Sequence, residues 1–247
     1  MIGRNSENYS ESWRKLPWKK FQVSLFRLQK RVYKAVQVGD KRKARSLQKL
    51  ILKSRAARFL AIRKVTQLNQ GKKTAGVDGK AKLTFKERFG IEPILQKFVN
   101  NWKHNKLREI PIPKKNGSTR KLKIPTMVDR CWQCLALYAL EPAHEATFHE
   151  NNFGFRPGRS AHDAQKQVFY NLHSNVFGIN KKIIELDIEK CFDRINHSTI
   201  MNNLIAPYVR IKTWDLSMPK GGTKPRISGT RYMSRWCDKS VISKHCT

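Results

Sequence analysis

The chain has 247 residues, 51 Lys and Arg against 18 Asp and Glu, and a formal net charge of +33. With 39% apolar residues it has material for a real core, which excludes a wholly disordered polymer. A charge this far from zero goes well beyond solubility and points to an anionic partner, nucleic acid before a membrane surface.

Residues 1–12 are polar and read as loose. No apolar run reaches transmembrane length and the N-terminus has no secretory h-region, so the expected compartment is the cytoplasm and no membrane partner is expected. From Trp13 to about Leu68 the spacing predicts helices. Phe21, Leu25, Leu28, Val32 and Val36 fall on one face, and Gly39-Asp40 breaks the run. A second stripe takes Leu47, Leu50, Ser54, Ala57, Ala61 and Val65. G-K-K-T-A-G-V-D-G-K, residues 71–80, is a loop without the Lys-then-helix context of a phosphate-binding loop. Residues 84–104 read as one or two helices, with Ile91, Ile94, Leu95 and Phe98 facing a core.

The period then changes. R-E-I-P-I-P-K-K-N-G-S-T-R-K-L-K-I-P-T predicts two strands joined at Asn116-Gly117. Arg120, Leu122 and Ile124 share one face of the second strand, Lys121 and Lys123 the other. The prolines favour edge or terminal positions. A helix over about 127–149 follows, with Val128, Cys131, Leu135, Tyr138 and Ala139 inward. Its C-x-x-C, two of five Cys, reads as buried thiols one turn apart, since no second pair stands at zinc spacing. Ser160 is the expected N-cap of the next helix, with Asp163 in its first turn. Residues 183–188 read as a strand, with Glu185 and Asp187 on the less apolar face. Residues from Asp193 to Leu204 return to helical spacing. Asp187 suits a hard cation such as Mg2+, although spacing alone equally describes an exposed Asp beside a Lys.

Four blocks, in order and at mutually consistent spacing, resemble the N-terminal half of a group II intron-encoded reverse transcriptase. They are K-V-T-Q-L-N-Q-G-K-K-T-A-G-V-D-G, I-P-K-K-N-G-S-T-R-K-L-K-I-P-T-M-V-D-R, L-E-P-A-H-E-A-T-F-H-E-N-N-F-G-F-R-P-G-R-S-A-H-D-A and L-D-I-E-K-C-F-D-R-I-N-H. The resemblance implies an α+β fold: a helical N-terminal leader (1–80), then fingers and the beginning of the palm (81–208), with the sheet incomplete. By the same resemblance Asp187 is a catalytic carboxylate that binds Mg2+, with the Ile188 carbonyl assisting one ion. Phe192 sits under the nucleotide sugar, a position that core packing explains equally well from sequence alone. Arg120 clamps the triphosphate with help from Lys114 or Lys115, and Arg156 and Arg159 contact template backbone. Either of the last two arginines could instead brace its own loop. The implied activity is RNA-directed DNA synthesis coupled to intron splicing and mobility. The implied partners are group II intron RNA and a DNA primer-template.

The family also needs a second acidic block, usually Y-A-D-D, and a Q-G-G-x-x-S-P-L block. Neither string occurs here, and the motif likeness fades after Tyr208. Codons can be chosen for Arg231 onward that, read one base later, give D-T-C-Q-G-G-V-I-S-P-L-L-A-N-I-A. Met233 and Trp236 leave little freedom, because ATG followed by T forces Cys and TGG followed by T forces Gly. The expectation is a frame change near Tyr208–Ile211 and a disordered, out-of-frame tail over 209–247. The chain then reads as a truncated reverse transcriptase, inactive by itself. The alternatives are a non-catalytic intron-RNA-binding protein or a decayed gene product.

Overall fold

A computed structural model of the protein describes residues 3–99, 101–113, 117, 119–173, 181–186 and 202–206. The described part is helical with one small sheet. Helix α1 (Gly3–Arg14) replaces the loose segment expected from composition. It is held at its end by Trp13, which is buried and packs tilted against Trp18 and edge-on against Phe59 and Phe89, at centroid distances of 5.1, 6.0 and 5.2 Å. One large aromatic can fix an otherwise polar helix, and a periodicity test over the preceding residues does not register it.

Helix α2 (Trp18–Gln37) buries Leu25, Val32 and Ala35. Gly39 at φ 76° turns the chain, and Asp40 Oδ1 accepts from Lys43 N at 2.8 Å to start α3 (Lys41–Lys53), so the break falls where the sequence puts it. The second expected stripe is split. Ser54 leaves the helix and caps α4 (Arg55–Arg63), and Leu50 faces solvent while Ile51 and Leu52 are buried. The interruption rotates the inward face, which a single unbroken period cannot reproduce. On α4, Arg58 is buried and paired with Glu92, Nη2 to Oε1 2.7 Å and Nε to Oε1 2.8 Å. That pair fastens α4 to α5 (Phe85–Phe98), which opens with a capping box between Thr84 and Glu87. Of the four residues expected inward on α5, Ile91 and Leu95 are buried but Ile94 and Phe98 are 39% and 43% exposed. Val99 and Trp102, beyond the helix, fill the core instead.

Strands β1 (Arg108–Pro113) and β2 (Thr119–Ile124) pair antiparallel from Arg108↔Ile124 to Pro113↔Thr119, with Gly117 at φ 76° in the connection. The expected hairpin and its edge prolines are present. Lys121 and Lys123 reach the same carboxylate, Glu109, at 3.6 and 3.7 Å, while Ile124 on the opposite face is buried. Helix α6 (Met127–Glu145) runs through the core with Cys131, Leu135, Ala136 and Ala139 fully enclosed, and packs against α2, α3 and α4. Cys131 and Cys134 are free buried thiols, and burial raises both from their ordinary titration range, Cys131 well above it. Helix α7 (Ala161–Leu172) carries the Ser160 cap as read, doubled by Asp163 into a capping box.

The strand expected over 183–188 is not present in its described part. Residues 181–186 make no ladder, and Ile184 and Leu186 are 80% and 88% exposed. Alternation predicts what a segment does beside a sheet, but a strand exists only when neighbouring backbone groups pair with it. Among the described residues the sheet is β1 and β2 alone.

Candidate nucleic-acid and nucleotide interface

The hairpin that carries Arg120 is anchored at its base by one buried carboxylate. Asp129, in the first turn of α6, accepts from Trp102 Nε1 (3.0 Å), Asn105 N (3.2 Å), Asn105 Nδ2 (3.1 Å) and Thr126 Oγ1 (2.7 Å), with His104 Nδ1 3.3 Å away. Residues 102–105 lead into β1 and Thr126 follows β2, so a single side chain ties both ends of the hairpin to α6. Burial by itself raises the Asp129 carboxyl, but hydrogen bonds from His104, Thr126 and Trp102 outweigh it and hold the group below the usual carboxylate range. Sequence reading passed over this residue. Its signal was there, because Thr126-x-x-Asp129 before an apolar run is a capping pattern.

The 71–80 loop is fastened to the same place. Arg130 donates through Nε to the Pro125 carbonyl and through Nη1 to the Gly71 carbonyl, both at 2.9 Å, and burial pushes its guanidinium down to about 10. Gly76 lies so close to Pro125 and Thr126 that a Cβ there would stand 2.7 Å from Thr126 Cα. The loop is thus structural packing behind the hairpin. No local sequence signal links residues 59 positions apart.

Arg120 occupies the β2 position paired with Ile112. Lys114, Lys115, Asp187, Ile188 and Phe192 lie outside the described residues. Among the described residues no three His, Cys, Asp or Glu side chains gather where they could hold a metal ion, and no helix is long and apolar enough to cross a membrane. Arg156 is buried. It donates to Glu145 from Nε (3.1 Å) and Nη2 (2.6 Å) and to the carbonyls of His149 and Asn152 from Nη1 (both 2.8 Å). This is the loop-bracing geometry, and the Glu145 carboxylate raises its guanidinium further. Arg159, half-buried, lies over the Phe153 ring at 5.3 Å. Replacing Arg156 with alanine is expected to open the 146–160 loop to proteolysis while leaving the salt slope of RNA binding unchanged. A slope reduced by about one would give Arg156 a phosphate contact instead.

The cationic surface is concentrated on the first helices. Between Trp18 and Leu68 the only acidic residue is Asp40, already engaged as the α3 cap. Arg63 lies over Trp18 at 4.5 Å and Lys64 over Tyr138 at 5.6 Å, so two cations are held in place by rings.

The family profile for the N-terminal domain of reverse transcriptase matches residues 13–94, and the profile for reverse transcriptase (RNA-dependent DNA polymerase) matches residues 112–235. The chain is 43% identical over 190 residues to Maturase-like protein 1 of Euglena gracilis, covering 77% of this chain and 42% of that protein. It is 35% identical over 207 residues to Maturase-like protein 1 of Euglena longa, covering 84% and 45%. It is 32% identical over 170 residues to Group II intron-encoded protein LtrA of Lactococcus lactis subsp. cremoris, covering 68% and 26%. The chain therefore spans less than half the length of these relatives. Two domain profiles in chain order, with these relatives beside them, show that the chain belongs to the reverse transcriptase/maturase family of group II introns.

Proposed function

We propose that the chain binds group II intron RNA through its leader and fingers and does not polymerise by itself. The observation that carries this reading is the cationic surface of α2 to α4, whose one carboxylate, the exposed Asp40, is engaged as the α3 cap. Such a surface binds phosphates by releasing their counterions. In this reading residues 1–80 are the leader, 81–208 the fingers and partial palm, and 209–247 a tail. Arg120, with Lys114 or Lys115, clamps a triphosphate through the bidentate geometry that a guanidinium favours, and Phe192 lies under the sugar. Arg159 contacts the template backbone.

Asp187 and the Ile188 carbonyl are the positions that would hold Mg2+, as oxygen donors suited to a hard cation. When bound, the metal supplies charge stabilisation for phosphoryl transfer. One carboxylate does not complete a two-metal site, so residues 1–247 alone bind RNA and template without extending a primer.

Two measurements on the purified chain test this together. Intron-RNA affinity should fall steeply and linearly on a logarithmic salt scale, with a slope of several units. Primer extension with Mg2+ should give no product. Weak binding indifferent to salt would remove the RNA-binding reading, and extension would remove the inactivity.

A frame change near Tyr208–Ile211 belongs to the same proposal, supported by the Q-G-G string recoverable one base later from codons for Arg231 onward. The family profile itself runs on to residue 235, through that segment. The coding DNA decides: codons for 231–247 unable to yield the string in a neighbouring frame end the frame-change reading.

A further inference from the structure

On α2, Lys19, Val23, Phe26, Lys30 and Lys34 follow one another at steps of four and three residues, a single line along the helix. That line is opposite the buried Leu25, Val32 and Ala35, and all five residues are exposed, with Arg27 exposed beside Phe26. Phe26 is 66% exposed and Val23 43%. An isolated exposed phenylalanine is ordinary. This one sits in the middle of a row of cations on a helix that contains no acidic residue, so its surroundings are not those of a generic protein contact.

We infer that this face of α2 is a stacking platform for an unpaired segment of RNA, with Phe26 receiving a base and the flanking lysines its phosphates. The inference rests on the RNA-binding reading above and narrows it to a single-stranded partner. The chemistry selects that partner. Every base has a π-face that an aromatic ring can stack on, and cations along the same line can follow the backbone. An A-form duplex presents phosphates and a shallow groove but keeps its base faces stacked inside, so a ring on a helix surface gains nothing from it. An acidic protein could satisfy the lysines but would not distinguish paired from unpaired RNA.

The test uses the full chain, oligo(U) RNA and an RNA duplex of equal length as probes, and fluorescence anisotropy across a salt series. Phe26→Ala is expected to weaken oligo(U) binding about tenfold and leave its salt slope and the duplex affinity unchanged, and Phe26→Tyr to restore oligo(U) binding. The exposure of Phe26 means neither variant disturbs the core, and thermal melting checks that. A loss under about twofold on oligo(U), or an equal loss on the duplex, overturns the stacking role. Wild-type binding that depends on salt but not on Phe26 sinks this inference alone. Absence of salt-dependent binding to either RNA by the wild type removes the broader RNA-binding reading with it.

Discussion

Replacing Asp129 with alanine is expected to lower stability by about 3 kcal/mol or more, measured by urea unfolding followed through tryptophan fluorescence. The side chain accepts from the Trp102 indole, the Asn105 backbone and amide, and the Thr126 hydroxyl. Without it, enclosed donors lose their acceptor, each at a cost of about 1–3 kcal/mol. The α6 cap loses its partner as well. Trp102 and Trp132 stack at 5.7 Å beside this site, so their emission should report the change directly. A loss below about 1 kcal/mol would mean that water or neighbouring groups replace the carboxylate, and the anchoring role would be wrong.

The same residue sets a pH dependence. Its folded titration point lies below the ordinary value of about 4, so the folded state favours the ionised form. The contribution is fully present above the unfolded value and is lost as pH falls through the lower, folded one. The wild type should therefore weaken from about pH 4 downward, and Asp129→Asn, although less stable throughout, should show a flatter acid limb. Parallel limbs in the two proteins would assign the acid sensitivity elsewhere.

Gly76→Ala is expected to cost about 2–3 kcal/mol and to expose the 71–80 loop to protease. The added Cβ would meet Thr126 Cα at 2.7 Å and Pro125 O and Thr126 N at 2.9 Å. All three are backbone atoms at the start of α6, so no side chain can swing away. The contrast is Gly79, whose φ of +68° is unfavourable for alanine but which has open space around it. Gly79→Ala should cost only about 1 kcal/mol, from backbone conformation alone. Equal costs at the two positions would show that the loop moves off Pro125 and Thr126 easily. It would then not be part of the hairpin's support.

Much of the local structure was readable because its causes are local. Gly39 and Asp40 stop one helix and start the next, Ser160 with Asp163 starts α7, and the Pro- and Gly-marked hairpin pairs in the register its alternation implies. The inner face of α6 followed from its period. Errors fell where an element's surroundings decide the outcome. Ile94 and Phe98 obey the helical period of α5 yet face solvent, because α4 and α1 cover only part of that helix. Residues 183–186 alternate correctly, but nothing described lies beside them to form a ladder.

The sequence by itself determined the family and the cationic character of the first helices, since both are written in residue order and composition. It could not choose between the two roles open to Arg156. The bracing contacts, to Glu145 and to two carbonyls within 3.1 Å of its guanidinium, exist only in the folded loop. Nor could it single out Asp129 as the anchor of the hairpin, or place Gly76 against Thr126. Those facts arise when segments far apart in the chain are packed together, and a contact that spans tens of residues leaves no trace in local spacing.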